Sequence, residues 1–240
     1  MVDEQSPTKI SKDITKYQVI VRNTINMAFI LSKINSIANH FLAEMRSIEW
    51  QQDRLRFRRN MERLGEIFAY EISKNLSYQT KEVDTPLGIS ETQLLEEQPV
   101  LMTIVRAGIP LHQGLLNFFD RADCGFIGAY RKTRKNNQLE IEKKYVTSPD
   151  LDHKIVIMVD PMLATGASMV LSCKELMASF AIKELHIVSA IASEEGIVHV
   201  RANLPKAKLW IGAIDSELTS KAYIVPGLGD AGDLAYGEKV

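Results

Sequence analysis

One apolar run near the middle of the chain ends in an acid and then passes through hydroxyl-bearing residues and a glycine. The run IVIMV is followed by Asp160, and Thr165, Gly166 and Ser168 come before the sequence turns apolar again. A carboxylate at the end of a buried strand packs poorly, but it can accept hydrogen bonds from vicinal hydroxyls. A helix that begins at these hydroxyls offers free N–H groups and its positive dipole end to an anion. The segment 160–168, called the aspartate loop below, therefore predicts a ribose phosphate site. An ordinary Ser or Thr helix cap is the simpler alternative.

A second loop with unusual residue types follows the apolar run VLMTI and reads VRAG, residues 105–108. Arg106 supplies a fixed fork of donors that matches phosphate oxygens. Ala107 and Gly108 add little bulk, so backbone N–H groups can approach a ligand. The VRAG loop therefore predicts a second phosphate contact. The alternative is a strand-end arginine that reaches solvent or pairs with an acid.

A third segment, called the glycine segment below, is YIVPGLGDAGD, residues 223–233. Its glycines satisfy G-x-G-x-x-G, but a dinucleotide fingerprint also needs a helix, a second strand and an acid about twenty residues later. The sequence ends too soon for that, at Val240. A turn rich in Gly and Pro that carries Asp230 and Asp233 is instead expected to fold over a small ligand and to read it with backbone groups.

The sequence lacks the motifs of nucleotide hydrolysis by a P-loop and of covalent catalysis. The sequence contains no G-x-x-x-x-G-K-[ST] and no convincing Ser-His-Asp or Cys-His arrangement, which argues against a P-loop hydrolase and against a covalent nucleophile. What remains is a site for phosphates, a ribose and a small flat group.

The elements that must position these loops alternate along the chain. The runs VLMTIV, CGFIGAY, KIVIMV, LHIVSAIA and AKLWIGAI predict strands, and PLHQGLLNFF, SMVLSCKELMASF and EEGIVHVRA predict helices between them. Such alternation indicates βαβ units and a mostly parallel sheet with helices on both faces. Ligands bind beyond the carboxyl ends of the strands in such sheets. A further helix is predicted from Ile48 to about Leu76, because apolar residues recur at spacings of three or four positions with charges between them. These residues are Ile48, Leu55, Met61, Leu64, Phe68 and Ile72.

Composition narrows the class of protein. The 240 residues are 45% hydrophobic and 25% charged, with a formal net charge of −1, so there is no global electrostatic argument for nucleic acid or an anionic membrane. Two cysteines and scattered histidines predict buried free thiols in a reducing compartment and no zinc site built by the protein. The polar start of the chain and the lack of a long apolar stretch predict a cytoplasmic protein without membrane spans.

The three loops together closely resemble those of the uracil phosphoribosyltransferase family. VDPMLATGAS, residues 159–168, is similar to the family's phosphoribosyl diphosphate motif, and the glycine segment is similar to its uracil-binding segment. The VRAG loop is similar to its diphosphate loop. Other phosphoribosyltransferases usually carry two adjacent acids where this chain has Val159 and Asp160. The resemblance is detectable from about His40 to Gly237.

The resemblance implies a fold and a reaction. The fold is the α/β type I phosphoribosyltransferase fold, with a mostly parallel central sheet flanked by helices and a small hood built from N- and C-terminal segments. Residues 1–35 would be an N-terminal extension, and 36–240 would form the phosphoribosyltransferase domain. The reaction is uracil plus phosphoribosyl diphosphate giving UMP and diphosphate, with Mg²⁺ held mainly by the substrate and Asp230 as a candidate ligand. Members commonly form dimers or larger assemblies, and GTP or UTP regulates some of them.

The resemblance also implies roles for residues. Asp160, Arg106 and Arg131 would be the catalytic residues, with Asp160 on the ribose hydroxyls and the two arginines on the diphosphate. The implied phosphoribosyl diphosphate site consists of Arg106, Ala107, Gly108, Arg131, Asp160, Pro161, Met162, Leu163, Ala164, Thr165, Gly166, Ala167, Ser168 and Asp230. The implied uracil site consists of Tyr223, Ile224, Gly229, Asp230 and Ala231.

Several residues depart from the family pattern. Ala167 replaces a second glycine and is expected to be tolerated in the first turn of a helix. Leu234 stands where a basic residue is usual, and Ala222 stands where glycine is common. The stretch after Tyr130 and Arg131 lacks the usual Thr-Leu-Glu-Pro pattern and is unusually basic.

Two alternatives remain open at this point. The basic stretch after Arg131 and the cluster DRLRFRR, residues 53–59, would suit an RNA-binding or ligand-sensing regulator on the same fold. An altered hood would suit transfer to a base other than uracil.

Overall fold

A computed structural model of the protein describes residues 24–133 and 139–239, without the side chains of 129–144. Most of the predicted N-terminal extension and the tip of the basic stretch therefore lie outside the described residues. In chain order, the strands are β1 (Phe29–Ile30), β2 (Tyr78–Thr85), β3 (Gly88–Leu95), β4 (Val100–Val105), β5 (Cys124–Thr133), β6 (Leu139–Thr147), β7 (Ile155–Val159), β8 (Met162–Leu163), β9 (Glu184–Ser193), β10 (Lys208–Asp215), β11 (Glu217–Leu218) and β12 (Ile224–Val225). The helices are α1 (Ala38–Arg46), α2 (Arg54–Ser73), α3 (Ile109–Phe118), α4 (Ala167–Ser179), α5 (Glu194–Asn203) and α6 (Ala231–Tyr236).

The central sheet has the strand order β1-β10-β9-β7-β4-β5-β6, and β8 pairs with β9. All pairs except β5 with β6 are parallel, which confirms the predicted mostly parallel sheet. After β4 the chain moves outward to β5 and β6, then returns to β7 on the other side of β4. This reversal creates a topological switch point between β4 and β7, where a crevice opens at the carboxyl ends of the strands.

Two apolar layers cover the sheet. Alternate strand residues such as Leu101 and Ile157 pack with α1, α2, α3 and α6 on one face. Their neighbours Met102 and Met158 pack with α4 and α5 on the other. Because β4 and β7 are covered on both faces, their sequences are continuously apolar rather than alternating.

Helices α2 and α3 pack against each other through glycines. A Cβ added to Gly65 would lie 2.2 Å from the carbonyl oxygen of Leu111, and one added to Gly114 would lie 1.9 Å from that of Glu62. Since both obstacles are backbone atoms, neither helix can relieve the clash by turning a side chain. The two glycines therefore set the distance between the helices.

Gly65→Ala is expected to lower the free energy of unfolding by about 2 kcal/mol, because overpacking outweighs the better helix propensity of alanine. Chemical denaturation measures this change. Leu55→Ala is the control on the same helix, since Leu55 is 62% exposed, and it should change stability by less than about 0.5 kcal/mol. Equal effects of the two substitutions would contradict the close-contact explanation.

Two predicted features differ from the structure. The helix predicted from Ile48 begins at Arg54 instead, where the Asp53 side chain accepts a hydrogen bond from the Arg56 N–H. Including Ile48 and Leu55 in the apolar pattern was therefore wrong, since both side chains are exposed. The other four residues of that pattern are buried in the helix, namely Met61, Leu64, Phe68 and Ile72. The antiparallel hairpin of β2 and β3 was not predicted. Its residues are almost all exposed, so it carries no strong alternation of apolar and polar residues.

Candidate active site

A cleft of about 920 Å³ opens at the switch point between β4 and β7. It brings together the VRAG loop, the aspartate loop and the glycine segment. Its lining includes Arg106, Ala107, Asp160, Met162, Ala164, Ser168, Tyr223, Ile224, Gly229, Asp230 and Ala231, all predicted site residues. The three loops are distant in sequence. The pairing of β4 with β7 makes the VRAG loop and the aspartate loop neighbours, and the glycine segment joins them from outside the central sheet.

The aspartate loop continues the hydrogen bonding of β7 along β9. The Asp160 N–H donates to the Val188 carbonyl at 3.1 Å, and the Ile191 N–H donates to the Pro161 carbonyl at 3.0 Å. Pro161 and Leu163 have buried side chains, and Leu163 belongs to the apolar layer below α4. These two predicted site residues do not line the cleft, whereas Asp160 and Met162 do.

The turn that leads into α4 has the geometry of an anion site. Gly166 is the N-cap with φ of 73°, no side chain caps the helix, and Ala167 is the first helical residue. The left-handed φ favours glycine at position 166, and Ala167 occupies the first helical position, as expected from the sequence. The Thr165 hydroxyl accepts a weak hydrogen bond of 3.4 Å from the Ala167 N–H. N–H groups in the first turn of α4 remain available to a phosphate.

Helix α5 supports this turn from below, which was not predicted. The Ser193 Oγ donates to the Ala164 carbonyl at 2.5 Å and accepts from the Gly196 N–H at 2.8 Å. A Cβ added to Gly196 would lie 2.3 Å from the same carbonyl oxygen. The available sequence signal was a helix N-cap: Ser193 is followed by two glutamates and then by Gly196, from whose N–H it accepts a hydrogen bond.

The VRAG loop is fixed by close packing at its last residue. A Cβ added to Gly108 would lie 2.1 Å from the Thr103 Oγ1 and 2.7 Å from the Ile104 carbonyl oxygen. The Thr103 hydroxyl in turn donates to the Val159 carbonyl at 3.2 Å. This links the loop after β4 to the strand that carries Asp160.

Arg106 extends from this loop toward α6. Its Nη2 donates to the Asp233 Oδ1 at 2.7 Å and to the Gly237 carbonyl at 2.6 Å. The side chain remains 34% exposed and lines the cleft. Arg106 therefore pairs with an acid, as the simpler alternative predicted, and it also has access to the cleft.

The glycine segment turns sharply over the cleft. Gly227 and Gly229 have φ of 57° and 95°, and a Cβ on Gly227 would lie 2.1 Å from the Ile224 carbonyl oxygen. The Asp230 Oδ1 accepts from the Asp233 N–H at 3.0 Å and caps α6. Ala231 begins that helix, so its N–H has no intrahelical acceptor.

An ion pair that sequence reasoning missed holds the segment in place. Arg46 on α1 makes two hydrogen bonds of 2.8 and 2.9 Å to the Asp215 carboxylate and one of 2.9 Å to the Gly227 carbonyl. Asp215 also accepts from the Gly227 N–H at 2.9 Å. Like Asp160, Asp215 is an acid at the carboxyl end of a buried strand, and that position was the available signal.

Other residues of the cleft were also missed. These lining residues are Lys221, Ala222, Gly232, Glu238 and Lys239. Ala222 has φ of 60°, a conformation that glycine adopts at lower cost, which accounts for the common glycine at this position in the family. The Lys239 Nζ lies 3.8 Å from the Asp230 Oδ2.

Two further predicted positions need separate description. Arg131 lies in β5, and its side chain is outside the described part of the structure. Leu234, which replaces a usual basic residue, packs against the apolar layer of the sheet face that carries α6.

The basic cluster of α2 contacts the protein itself. Arg56 pairs with Glu44, and this interaction lowers the pKa of the Glu44 carboxyl to about 2. Arg58 donates to the Ala235 carbonyl at 2.7 Å, and Arg59 pairs with Glu62. These contacts favour a structural role for the cluster.

The thiols do not suit nucleophilic chemistry. Both cysteines are free. Burial raises the pKa of the Cys173 thiol to about 12 and also raises the pKa of Cys124, so neither forms a thiolate readily near neutral pH.

None of the helices in the described ranges has the length and apolar character needed to cross a membrane.

The chain is similar to known proteins of one family. The family model for uracil phosphoribosyltransferase matches residues 33–238. A uracil phosphoribosyltransferase of Porphyromonas gingivalis is 49% identical over 207 residues, which cover 86% of this chain and 96% of the relative. A uracil phosphoribosyltransferase of Pyrococcus furiosus is 36% identical over 191 residues, which cover 78% and 82%.

The solved structure of the AQ2163 protein from Aquifex aeolicus covers 88% of this chain and 100% of its own, with a TM-score of 0.78 and 30% identity. The mostly parallel sheet with its flanking helices confirms the predicted α/β architecture. The family model spans most of the sequence, and the chain is 49% identical to a relative of which it covers 96%. The chain therefore belongs to the uracil phosphoribosyltransferase family.

Proposed function

We propose that this protein transfers the 5-phosphoribosyl group from phosphoribosyl diphosphate to uracil, giving UMP and diphosphate. The observation that carries the proposal is the single cleft in which the aspartate loop, the VRAG loop and the glycine segment meet. The start of α4, a carboxylate and an arginine line this cleft together with the turn of the glycine segment. This arrangement suits a charged sugar on one side and a small flat base on the other.

The aspartate and VRAG loops would bind phosphoribosyl diphosphate. Asp160 would accept hydrogen bonds from the ribose hydroxyls, and the start of α4 with the Thr165 and Ser168 hydroxyls would hold the 5′-phosphate. Arg106 would hold the diphosphate beside the small residues Ala107 and Gly108. We assign Arg131 to the diphosphate by its position in the family motif.

The glycine segment would read uracil with backbone groups from Ile224, Gly229 and Ala231, with Tyr223 at the edge of the cleft. Uracil presents alternating donors and acceptors, which backbone N–H and C=O groups can match. Cytosine would leave a partner mismatched, at a cost of about 1–3 kcal/mol per group. This backbone recognition would favour uracil over cytosine.

Positioning and charge would supply most of the acceleration. As the bond from C1 of the ribose to the diphosphate breaks, positive charge develops on the sugar and negative charge on the leaving group. Asp160 lies on the side of the ribose and Arg106 on the side of the diphosphate. Holding the base and the sugar in line removes the entropy cost of their encounter, so a protein nucleophile is not required.

Magnesium fits the donors of this cleft. Asp160 and Asp230 supply the oxygen ligands that Mg²⁺ prefers, and both line the cleft. Within the described residues, no group of three or more His, Cys, Asp or Glu side chains could enclose an ion. We therefore propose that the diphosphate itself provides most ligands and that Asp230 contributes from the protein. When bound, Mg²⁺ would neutralise charge on the leaving group.

We also propose that the protein forms a homodimer or larger homo-oligomer in the cytoplasm. Leu87 and Ile89 of the β2–β3 hairpin are 100% and 66% exposed, and an isolated two-stranded hairpin is marginally stable in water. Contact with another copy would cover these side chains. GTP and UTP are candidate effectors through the family resemblance, and adding them to the assay below tests them.

A steady-state assay with a panel of bases tests the proposed reaction. UMP should form from uracil, phosphoribosyl diphosphate and Mg²⁺, and chelation of the metal should stop turnover. We expect kcat/KM for cytosine to be at least about tenfold lower than for uracil. Faster turnover with cytosine or a purine base would overturn the assignment of uracil. Binding of phosphoribosyl diphosphate without turnover on any base would support a regulatory protein instead.

A further inference from the structure

We propose that Asp233 is a positioning residue that orients Arg106 for the diphosphate and couples the glycine segment to the VRAG loop. This inference rests on the proposed function, since it assumes that Arg106 binds the diphosphate. The two residues are 127 positions apart in the sequence, and nothing in the spacing of the motifs connects them.

The contacts leave one side of the guanidinium available. The Nη2 of Arg106 donates both to Asp233 Oδ1 at 2.7 Å and to the Gly237 carbonyl at 2.6 Å, which uses its two N–H bonds. The Nε is buried and finds no hydrogen-bond partner among the described residues. Nη1 makes no hydrogen bond within that part of the chain either. A diphosphate oxygen can therefore bind at Nη1 while Asp233 stays in place.

Asp233 is itself held rigidly. Its N–H donates to the Asp230 Oδ1 at 3.0 Å, so its backbone is fixed by the cap of α6. The Gly237 carbonyl comes from the other end of this helix. Helix α6 thus contacts the arginine with both its first turn and the residue that follows its last turn.

Packing supports the same arrangement. A Cβ added to Gly232 would lie 3.7 Å from the Ala107 Cβ and 3.8 Å from the Arg106 Nε. The start of α6 therefore packs directly on the VRAG loop. Because the uracil-reading residues Gly229 and Ala231 immediately precede this contact, a base that orders the segment would also order the arginine.

Orientation is the expected contribution of this pair, rather than charge attraction. The two side chains are 34% and 32% exposed, and solvent weakens an ion pair of that exposure. A long arginine side chain has many rotamers, and each hydrogen bond that Nη2 donates reduces the number of rotamers that it can adopt. Losing Asp233 should therefore weaken diphosphate binding through Arg106 and leave other contacts unaffected.

A double-mutant cycle tests this coupling. Calorimetry would measure the Kd of inorganic diphosphate with Mg²⁺ for the full-length protein and for Asp233→Ala, Arg106→Ala and the double variant. We expect Arg106→Ala to weaken binding at least about tenfold. Asp233→Ala should weaken binding about fivefold in the parent and less than about twofold in the Arg106→Ala background. Asp233→Asn should restore part of the affinity, because the amide oxygen still accepts from Nη2.

A control variant and the contrary outcomes distinguish the positioning role of Asp233 from the assignment of Arg106 to the diphosphate. Glu71→Gln removes a carboxylate that pairs with Lys74 on α2, outside the cleft, and should leave the Kd unchanged. Equal weakening of diphosphate binding by Asp233→Ala in both backgrounds would overturn the positioning role. Tighter binding by Asp233→Ala would also overturn it, since it would mean that Asp233 competes with the diphosphate for Arg106. An Arg106→Ala variant that binds as well as the parent would instead overturn the diphosphate assignment of Arg106.

Discussion

Replacing Asp160 by asparagine is expected to lower kcat/KM for UMP formation about a hundred- to a thousandfold, the scale of removing one preorganised electrostatic group. The substitution keeps the size of the side chain but removes its charge and replaces an acceptor with a donor. The ribose hydroxyls would then face an amide N–H, and the developing positive charge of the sugar would lose its counter-charge. The steady-state assay with uracil measures the loss, and calorimetry with phosphoribosyl diphosphate shows how much of it arises in binding.

A matched variant distinguishes this effect from general damage. Asp120→Asn removes the charge from an exposed aspartate that follows α3 and should leave kcat/KM within about twofold. Both variants should unfold at nearly the parent temperature. A loss of less than about fivefold in Asp160→Asn would mean that the ribose hydroxyls are held elsewhere.

The strands and loops of the site were predictable because their signals are local. Continuous apolar runs such as VLMTIV encode strands buried on both faces, and the residues that follow such strands must lie at one edge of a parallel sheet. Placing Arg106 and Asp160 at that edge needed only the order of the elements. The VRAG loop and the aspartate loop adjoin because β4 and β7 are neighbours.

The supporting contacts were not predictable because they join residues far apart in the chain. Arg46 and Asp215 are 169 positions apart, and neither stands in a recognisable motif. Ser193 contacts the turn that leads into α4 only because α5 packs against that turn. No local sequence pattern encodes this tertiary contact. The β2–β3 hairpin was not predicted for a different reason. Its side chains are almost all exposed, so its sequence shows no hydrophobic periodicity.

The supporting ion pair of Arg46 is expected to have the second large effect. Arg46→Met should lower the free energy of unfolding by about 3 kcal/mol, because it leaves the Asp215 carboxylate buried without its cation. Only 7% of the Asp215 side chain is exposed. Since Arg46 also binds the Gly227 carbonyl, its loss should free the glycine segment and raise KM for uracil more than KM for phosphoribosyl diphosphate.

Chemical denaturation and the two KM values measure these effects, with Arg56→Met as the control. Arg56 pairs with Glu44 on the same side of the sheet, but its side chain is 53% exposed, so its removal should cost less than about 1 kcal/mol. It should leave KM for uracil unchanged, since the guanidinium of Arg56 hydrogen-bonds to Glu44, which lies outside the glycine segment. If Arg46→Met destabilises the protein but shifts both KM values equally, the pair acts on the fold as a whole. A selective rise in KM for uracil would instead place the Arg46–Asp215 pair among the determinants of base binding, since its contact with Gly227 lies two residues from Gly229.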